Sequence, residues 1–281
     1  MKQARRTQTV IVKANSIQKN NRMKQLKNLL VGIFLLSLFG VMNSCSSQER
    51  ADGNHQMHHS EADAGSNYVM IKSWEHQREL YIERGMSEAE ADSVIGENLA
   101  YLTAMDRTAG DDRIGVEAPT FSFDEWINSE PLSLDDLKGQ VVLVRWWTDT
   151  CPFCASSAPA LRQLHEEYAD SDFTLVGVFH PKAGMDDPLN TERVQRVVDA
   201  REFTFPVAID WDWRNGTLKE WWLTGPRRPG TSVTFILDKS GLIQFVHPGM
   251  EYHDDNGSEQ HAMCATDMGR IRAAIERLIA E

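Results

Sequence analysis

Cysteine is scarce in this sequence, which has four cysteines in 281 residues. They are Cys45, Cys151, Cys154 and Cys264. Four are too few for a disulfide scaffold, in which several bridges hold a small chain together. Apolar residues make up 41% of the chain and charged residues 25%, which is ordinary for a soluble globular protein. The length allows one domain with long appendages or two small domains.

The first 45 residues contain no aspartate or glutamate, although they hold eight of the 29 lysines and arginines. Because the whole chain has 41 acidic residues, the remainder carries 21 basic against 41 acidic side chains, a net charge of -20. A body this acidic repels phosphate backbones. We therefore expect no nucleic-acid partner.

The N-terminal part has an apolar segment that is too short to span a membrane. Leu29–Met42 contains 14 residues, whereas a transmembrane helix needs about 20. This length is typical of the h-region of a signal peptide, and Lys24 and Lys27 supply the basic residues that precede one. A signal peptide of ordinary composition begins at Met23. Residues 1–22 are therefore either a translation start assigned too far upstream or a dispensable extension.

Cys45 follows this segment in the sequence Val41-Met42-Asn43-Ser44-Cys45. A small residue before a lone cysteine, directly after an h-region, resembles the lipobox of bacterial lipoproteins. The resemblance implies that residues 1–45 are a lipoprotein signal and that Cys45 becomes the lipidated N-terminus on the periplasmic side of a bacterial membrane. The inner and the outer membrane both fit. An uncleaved signal anchor with an incidental cysteine is the alternative.

Residues 46–67 are polar, and we predict that they form a flexible tether. They include His55, Met57, His58 and His59. Such a group can bind copper or zinc, and a solvated tail is the alternative.

Residues 68–108 are predicted to form a helical hairpin. Trp74 and Tyr81 lie on one stripe of a first helix, and Ser87 with Glu90 forms a capping box at the start of a second. The hairpin has one apolar face, which must be covered by the following domain or by a partner.

Residues 113–281 alternate between strand and helix patterns, which predicts an α/β domain. Val141–Trp147 is an apolar run broken only by Arg145, as expected for a strand buried on both faces. Further strands are predicted at Phe173–Phe179, Phe205–Ile209, Val233–Leu237 and Leu242–His247. Helices are predicted after Cys151 and at Thr191–Phe203, Thr217–Leu223 and Thr266–Ala280, with Thr191 as an N-cap.

Four motifs, in this order, resemble those of the TlpA/ResA-like thiol-disulfide oxidoreductases. They are Gly115–Phe121, Leu143–Cys154 with its C-x-x-C pair, Pro159, and Thr234–Asp238 followed by Gly241. The resemblance implies a thioredoxin-like fold, with a central mixed β-sheet flanked by helices and preceded by the helical hairpin. It implies exchange with protein thiols and disulfides, a membrane or periplasmic electron donor or acceptor, and no cofactor. A zinc site built from two C-x-x-C pairs is excluded, because the chain has one such pair.

The chemistry of disulfide exchange assigns a role to each cysteine of the pair. A thiolate, not a thiol, attacks a disulfide. Cys151 stands at the predicted helix start, where free N–H groups favour negative charge, so we expect its pKa to lie below the usual value of about 8.5. Cys154, one turn later, is placed to attack the mixed disulfide. We predict that Cys151 is the catalytic nucleophile and that Cys154 is the resolving thiol.

Residues around the pair depart from the family pattern. Arg145 stands where thioredoxins have a buried acid, and we expect Asp149, the nearest acidic alternative, to be exposed. Ser232 stands where the family has a cis-proline that faces the dithiol. The residues predicted to support the site are Trp147, Asp149, Pro152, Phe153, Arg145, Ser232 and Val233.

Histidines and acids outside the pair are weaker candidates. His180 follows the second core strand, where it either orients substrate or is a surface-loop histidine. The potential metal ligands after the last hairpin are His247, Glu251, His253, His261 and Cys264. Their spacing matches no metal motif, so we assign no metal site. Cys264 is interpreted as a buried thiol, with a third redox cysteine or a metal ligand as alternatives.

Two other functions share parts of this pattern. Thr148-x-x-Cys151 matches part of the peroxiredoxin site, but Val144 and Val233 stand where that family has a proline and an arginine. Sco-type copper metallochaperones also use a thioredoxin fold, but they space their cysteines by three residues. Their candidate ligands here are His55, Met57, His58, His59, Met250, His253 and His261. The leading prediction is a lipid-anchored thiol-disulfide oxidoreductase that works outside the cytoplasm.

Overall fold

The computed structural model describes residues 69–184, 186–226 and 228–281. The predicted signal region with Cys45 and the predicted tether lie outside the described residues. In the part of the chain that the structure describes, no helix combines the length and the apolar character that crossing a membrane requires.

The described residues form helices and strands in alternation after an N-terminal helical pair. The helices are α1 (Trp74–Glu83), α2 (Glu88–Ala104), α3 (Pro152–Glu167), α4 (Thr191–Ala200) and α5 (Ala262–Ala280). The strands are β1 (Glu125–Ile127), β2 (Val141–Trp147), β3 (Phe173–Phe179), β4 (Val207–Ile209), β5 (Thr234–Leu237) and β6 (Ile243–His247). Short helical turns lie at Asp111–Arg113, Lys219–Leu223 and Glu259–His261.

The strands form one mixed sheet in the order β1-β4-β3-β2-β5-β6. Strands β2, β3 and β4 run parallel and are joined by crossovers through α3 and α4, as parallel strands require. Strands β5 and β6 add antiparallel partners beside β2, and β1 pairs antiparallel with β4. The predicted thioredoxin-like fold is confirmed.

Strand β2 is buried along its whole length and separates two apolar layers. Because side chains alternate across a strand, Leu143 and Trp147 pack on one face, and Val144 and Trp146 pack on the other. Burial of each such side chain contributes about 1.5–3 kcal/mol. By the same alternation, Arg145 points to the face of Leu143 and Trp147, which is the face that holds the cysteine pair.

Side-chain caps define where the two N-terminal helices begin. The Ser73 hydroxyl accepts a hydrogen bond from the His76 N–H at the start of α1. At α2 the predicted capping box is confirmed, since Ser87 and Glu90 each accept a hydrogen bond from the other's backbone N–H. A cap of this kind contributes about 1 kcal/mol.

The N-terminal helices pack against the rest of the described domain. The rings of Trp74 and Phe153 meet edge to face, with centroids 4.8 Å apart. Before α1, the Ile71 N–H donates to the carbonyl oxygen of Asp149 at 2.8 Å. Trp74 also shares a buried apolar cluster with Cys264 of α5. The apolar face of these helices is therefore covered by the chain itself.

Several predicted boundaries are wrong by a few residues. Asn190, not Thr191, caps α4, because its side chain accepts the Arg193 N–H. Helix α5 begins at Ala262 instead of Thr266, and β4 covers only the end of the predicted strand. Strand β1 has no counterpart among the predictions, because three residues are too few to show a periodicity.

Candidate dithiol active site

The two cysteines of the C-x-x-C pair lie where β2 leads into α3. Cys151 is the N-cap residue of α3, with an extended backbone, and Pro152 follows as the first helical residue, a position that suits proline. Both cysteines are free thiols. Cys151 is 8% exposed and Cys154 is 2% exposed, so the pair is covered in this conformation.

The electrostatic environment favours negative charge on Cys154. The hydrogen bond from the Cys151 thiol lowers the pKa of Cys154 well below the usual range, and Arg145, Arg201 and the Ser232 hydroxyl lower it further. The same hydrogen bond and burial raise the pKa of Cys151. The prediction that Cys151 has a lowered pKa is therefore wrong for this state of the dithiol. In this state the negative charge of the pair is therefore favoured on Cys154.

Arg145 is fully buried and reaches the site from the middle of β2. Its Nη1 donates to the Ser232 carbonyl at 2.5 Å, and its Nη2 donates to the Met250 carbonyl at 2.6 Å. The guanidinium also lies over the ring of Tyr252, 5.0 Å from its centroid. Among the described residues, no carboxylate forms an ion pair with Arg145. A buried cation needs a compensating charge, and Arg145 in turn lowers the pKa of Cys154, so a thiolate at Cys154 would supply that charge.

Arg201 is a second buried cation beside the pair, and the sequence predictions did not include it. It follows α4, and its Nη2 donates to the Thr148 carbonyl at 3.1 Å. Its guanidinium lies 5.0 Å from the ring centroid of Trp147. Burial lowers the pKa of Arg201, while the nearby thiolate of Cys154 raises it. No sequence motif marks this residue, because only the tertiary fold brings Arg201 next to Trp147 and Thr148.

Asp149 is buried, so the prediction of an exposed carboxylate is wrong. Its carboxylate accepts hydrogen bonds from Nε and Nη2 of Arg193 at 2.7 Å and 3.0 Å. This ion pair compensates the charge of Asp149 within the protein. The ion pair therefore holds the loop before Cys151 in place. Asp149 is not an exposed acid at the dithiol.

Ser232 lies against the dithiol, as the family resemblance of the sequence predicts. Its Oγ is 3.0 Å from the sulfur of Cys154. Val233 packs on the opposite face of the sheet together with Val144. The two positions at which peroxiredoxins have a proline and an arginine thus hold apolar side chains turned away from the cysteines.

Aromatic residues enclose the pair. Trp147 is buried and meets the rings of Phe179 and Phe203 edge to face. Phe153, between the cysteines, is half-buried and contacts Trp74. These rings exclude water from the site, which strengthens the electrostatic interactions within it.

His180 is completely buried, so it is not a surface-loop histidine. Neither of its ring nitrogens has a hydrogen-bond partner among the described residues. Burial lowers the pKa of His180 well below its usual value. Its ring lies 5.1 Å from that of Trp213, and it is a neutral packing residue at the end of β3.

Four of the five potential metal ligands after β5 converge, which the sequence did not reveal. Glu251, His253, His261 and Cys264 have donor atoms within 4.8 Å of one another. His247 is separate, with Nε2 lying 3.2 Å from the Asp267 carboxylate. The described residues hold no comparable group that includes Cys151 or Cys154. His253 and His261 therefore do not join the dithiol in a Sco-type copper site.

Comparisons with known proteins agree with this fold. The sequence profile of the AhpC/TSA family matches residues 114–246. The thioredoxin-like protein YneN of Bacillus subtilis is 33% identical over 135 residues, which cover 48% of this chain and 71% of YneN. The thiol-disulfide oxidoreductase ResA of Oceanobacillus iheyensis is 28% identical over 141 residues, which cover 49% of this chain and 66% of ResA.

The chain belongs to the thioredoxin-like family of thiol-disulfide oxidoreductases, which confirms the resemblance seen in the sequence. Among solved structures, a thiol-disulfide isomerase from Corynebacterium glutamicum is similar, with 24% identity and a TM-score of 0.43. That alignment covers 58% of this chain and 97% of the isomerase.

Proposed function

We propose that this protein is a lipid-anchored thiol-disulfide oxidoreductase that works outside the cytoplasm and exchanges disulfides with proteins through Cys151 and Cys154. The observation that carries this proposal is the free dithiol at the start of α3, with the Ser232 hydroxyl and two buried arginines beside Cys154. These groups stabilise a thiolate, which is the reactive form in disulfide exchange.

The reaction begins when the Cys151 thiol transfers its proton to Cys154. The Cys151 thiolate then attacks a substrate disulfide, a mixed disulfide forms, and the first substrate sulfur leaves as a thiolate that takes up a proton. Cys154 loses its proton and attacks the Cys151 sulfur, which releases the second substrate thiol and leaves a Cys151–Cys154 disulfide. Two electrons pass to the substrate, and the reverse sequence oxidises a dithiol.

A membrane or periplasmic donor or acceptor returns the pair to its starting state. The proposal of an anchor rests on the apolar segment Leu29–Met42 and on Cys45. Radiolabelled fatty acid should label the wild-type chain in its host and should not label Cys45→Ser. Equal labelling of the two proteins would remove the anchor from the proposal and leave the exchange reaction intact.

Access to the dithiol requires a local movement. Cys151 is 8% exposed, and Trp74 packs on Phe153 beside it. A protein disulfide can therefore reach the Cys151 sulfur only when the segment around α1 moves away from it. Elements that open in this way have few buried contacts and low local stability.

Trapping of the mixed disulfide tests the exchange reaction. We expect Cys154→Ala to accumulate a covalent adduct with a synthetic peptide disulfide, because the resolving thiol is missing, and Cys151→Ala to form none. Ser171→Ala, at an exposed position outside both the dithiol site and helix α1, is the control and should turn over like the wild type. Full exchange activity in the Cys151→Ala, Cys154→Ala double variant would contradict the proposal.

A further inference from the structure

A cluster of four potential ligands lies where helix α5 meets the segment after β6. We propose that Glu251, His253, His261 and Cys264 bind one divalent transition metal ion of the zinc class. The site goes beyond the dithiol chemistry and does not depend on it. The residues combine one thiol, two imidazoles and one carboxylate within 4.8 Å of one another.

The donor atoms already have nearly the spacing of a coordination shell. Oε1 of Glu251 lies 2.9 Å from Nε2 of His253 and 2.9 Å from Nδ1 of His261. The two nitrogens are 3.2 Å apart, and the Cys264 sulfur is 3.8 Å from Nδ1 of His261. In a tetrahedral zinc site, bonds of about 2.0–2.3 Å put neighbouring donors about 3.3–3.7 Å apart. Movements of less than about 1 Å would seat the ion.

The ring of His253 is oriented so that one nitrogen faces the cluster. Its Nδ1 lies 2.6 Å from the carbonyl oxygen of Asp254, which accepts hydrogen bonds only, so Nδ1 carries a proton. In a neutral imidazole, Nε2 then presents a lone pair to Oε1 of Glu251, which is also an acceptor. Two acceptors at 2.9 Å need a cation between them. A metal ion, or a second proton on His253, satisfies this requirement.

The carboxylate of Glu251 is also held from outside the cluster. Nε1 of Trp74 donates to Oε2 at 3.0 Å, which leaves Oε1 for the ion. Outer contacts of this kind orient the ligands of a metal site. A groove between the N-terminal helices and residues 256–261 reaches His261. An ion can therefore enter from solvent although Glu251 and Cys264 are buried.

The donor set distinguishes between metal ions. Thiolate, imidazole and carboxylate are the ligands of zinc, and four protein donors close its tetrahedral shell, as in structural zinc sites. Magnesium and calcium prefer shells of oxygen atoms. The geometry therefore favours zinc, with cobalt as a spectroscopic substitute.

An ion in this cluster connects parts of the chain that surround the dithiol. Glu251 lies after β6, Cys264 belongs to α5, and Trp74 connects α1 to the same carboxylate. Met250, the neighbour of Glu251, accepts the hydrogen bond from Arg145. We assign the ion a structural role, since it holds the helical cover and one wall of the dithiol site in place.

The test uses the full chain without its other thiols and without the tether histidines. The substitutions are C45S, C151S, C154S, H55A, H58A and H59A, after which Cys264 is the only cysteine. Cobalt(II) is the probe, since a bound thiolate gives it an intense charge-transfer band. We expect one Co²⁺ per chain, the thiolate band, and displacement by one equivalent of Zn²⁺.

Further substitutions in this background assign the ligands. C264S should remove the band, and H261A should weaken binding more than tenfold. W74F keeps the aromatic contact but loses the N–H donor, so it should weaken binding about tenfold. H76A, on α1 outside the cluster, is the matched control and should change neither affinity nor band.

Two results would overturn the proposal. One is that the background protein binds no Co²⁺, which leaves an ion pair between protonated His253 and Glu251 as the explanation of the contacts. The other is that C264S keeps the band and H261A keeps the affinity. C264S replaces one small side chain with another, so it serves as the decisive variant if H261A fails to fold.

Discussion

The hydroxyl of Ser232 lies 3.0 Å from the sulfur of Cys154. The family resemblance implies a cis-proline at this position, and proline has no side-chain donor. Here the serine hydroxyl can donate to the thiolate, while its carbonyl accepts a hydrogen bond from Arg145 at 2.5 Å. One residue thus connects the thiolate to the buried cation, and we expect it to stabilise the reduced state of the dithiol.

Ser232→Ala should make the dithiol a stronger reductant. A hydrogen bond to a charged group contributes about 1.5–3 kcal/mol, and about 1.4 kcal/mol corresponds to 30 mV for this two-electron couple. Loss of the bond destabilises the reduced form, so the reduction potential should fall by about 30–60 mV. Equilibration with glutathione buffers measures it.

Two variants control for a change in packing. Ser232→Thr keeps the hydroxyl and should keep the potential. Thr231→Val removes a neighbouring buried hydroxyl that has no hydrogen-bond partner among the described residues, and it should also leave the potential unchanged. An equal fall in all three variants would show that the hydroxyl of Ser232 has no specific effect.

Arg145→Met should destabilise the reduced protein more than the oxidised protein. In the reduced form, Arg145 stabilises the Cys154 thiolate, and an opposite charge nearby typically contributes about 1–4 kcal/mol. In the oxidised form, Arg145 keeps its hydrogen bonds to the Ser232 and Met250 carbonyl oxygens. Cys154 is then part of a disulfide, so the attraction between Arg145 and a thiolate is lost. Urea unfolding of both redox forms measures the difference.

The reduction potential of Arg145→Met should fall by about 30–90 mV, since the two measurements are linked. Arg277→Met removes an exposed arginine that pairs with Glu281, and it should affect neither quantity. A loss of stability that is the same in both redox forms would mean that Arg145 acts only through packing.

Local sequence patterns are sufficient to predict much of the fold. The apolar run of β2, the C-x-x-C pair before a helix and the Ser87–Glu90 capping box each lie within a few residues. The position of Ser232 is given by its distance from the strand pattern at Thr234–Leu237. Such features depend on neighbours in sequence, and they were therefore visible in the sequence.

Local sequence patterns do not predict the burial of Asp149 or the position of Arg201. Asp149 depends on Arg193, which lies 44 residues further along the chain, and Arg201 depends on how α4 packs. The ligands from Glu251 to Cys264 converge through a loop with no regular spacing. In each case the chemistry depends on tertiary contacts between residues whose separation carries no periodic signal.

Trp74→Ala should expose the dithiol more often. An edge-to-face aromatic pair contributes about 0.5–1.5 kcal/mol, and Trp74 makes such a pair with Phe153 beside Cys151. Loss of about 1 kcal/mol raises the population of an open state about fivefold. Alkylation of Cys151 should therefore become about fivefold faster, as measured by mass spectrometry.

The matched control for this variant is Tyr101→Ala. Tyr101 is an exposed aromatic residue on α2, and its removal should leave the alkylation rate unchanged. Equal rates in the wild type and Trp74→Ala would show that α1 does not limit access to Cys151.

Asp149→Asn should destabilise the protein strongly in both redox forms. Asn is neutral, so the buried guanidinium of Arg193 would lose the charge of the Asp149 carboxylate. Removal of one partner from a buried ion pair typically costs about 3–5 kcal/mol. Denaturant unfolding measures the loss. Asp92→Asn breaks an exposed pair with Arg78, and it should have no measurable effect.

Asp210 lies on the other side of the sheet from the dithiol and is buried. One oxygen of its carboxylate accepts hydrogen bonds from the Leu218 N–H at 2.7 Å and from Nε1 of Trp146 at 3.3 Å. Burial raises the pKa of Asp210 to about 6, because it disfavours the charged form more than these hydrogen bonds favour it. The folded protein therefore holds this proton to a higher pH than the unfolded chain does.

Asp210→Asn should be more stable than the wild type at neutral pH. Between about pH 4 and pH 6 the folded wild type binds more protons than the unfolded chain, so its stability falls as the pH rises. The loss reaches at most about 3 kcal/mol for this shift, and asparagine, which cannot ionise, avoids it. Unfolding of both proteins between pH 4 and pH 7 should give curves that separate as the pH rises. Asp170→Asn, at an exposed site, should give a stability curve parallel to that of the wild type. A parallel curve for Asp210→Asn would show that Asp210 does not cause the loss of stability with rising pH.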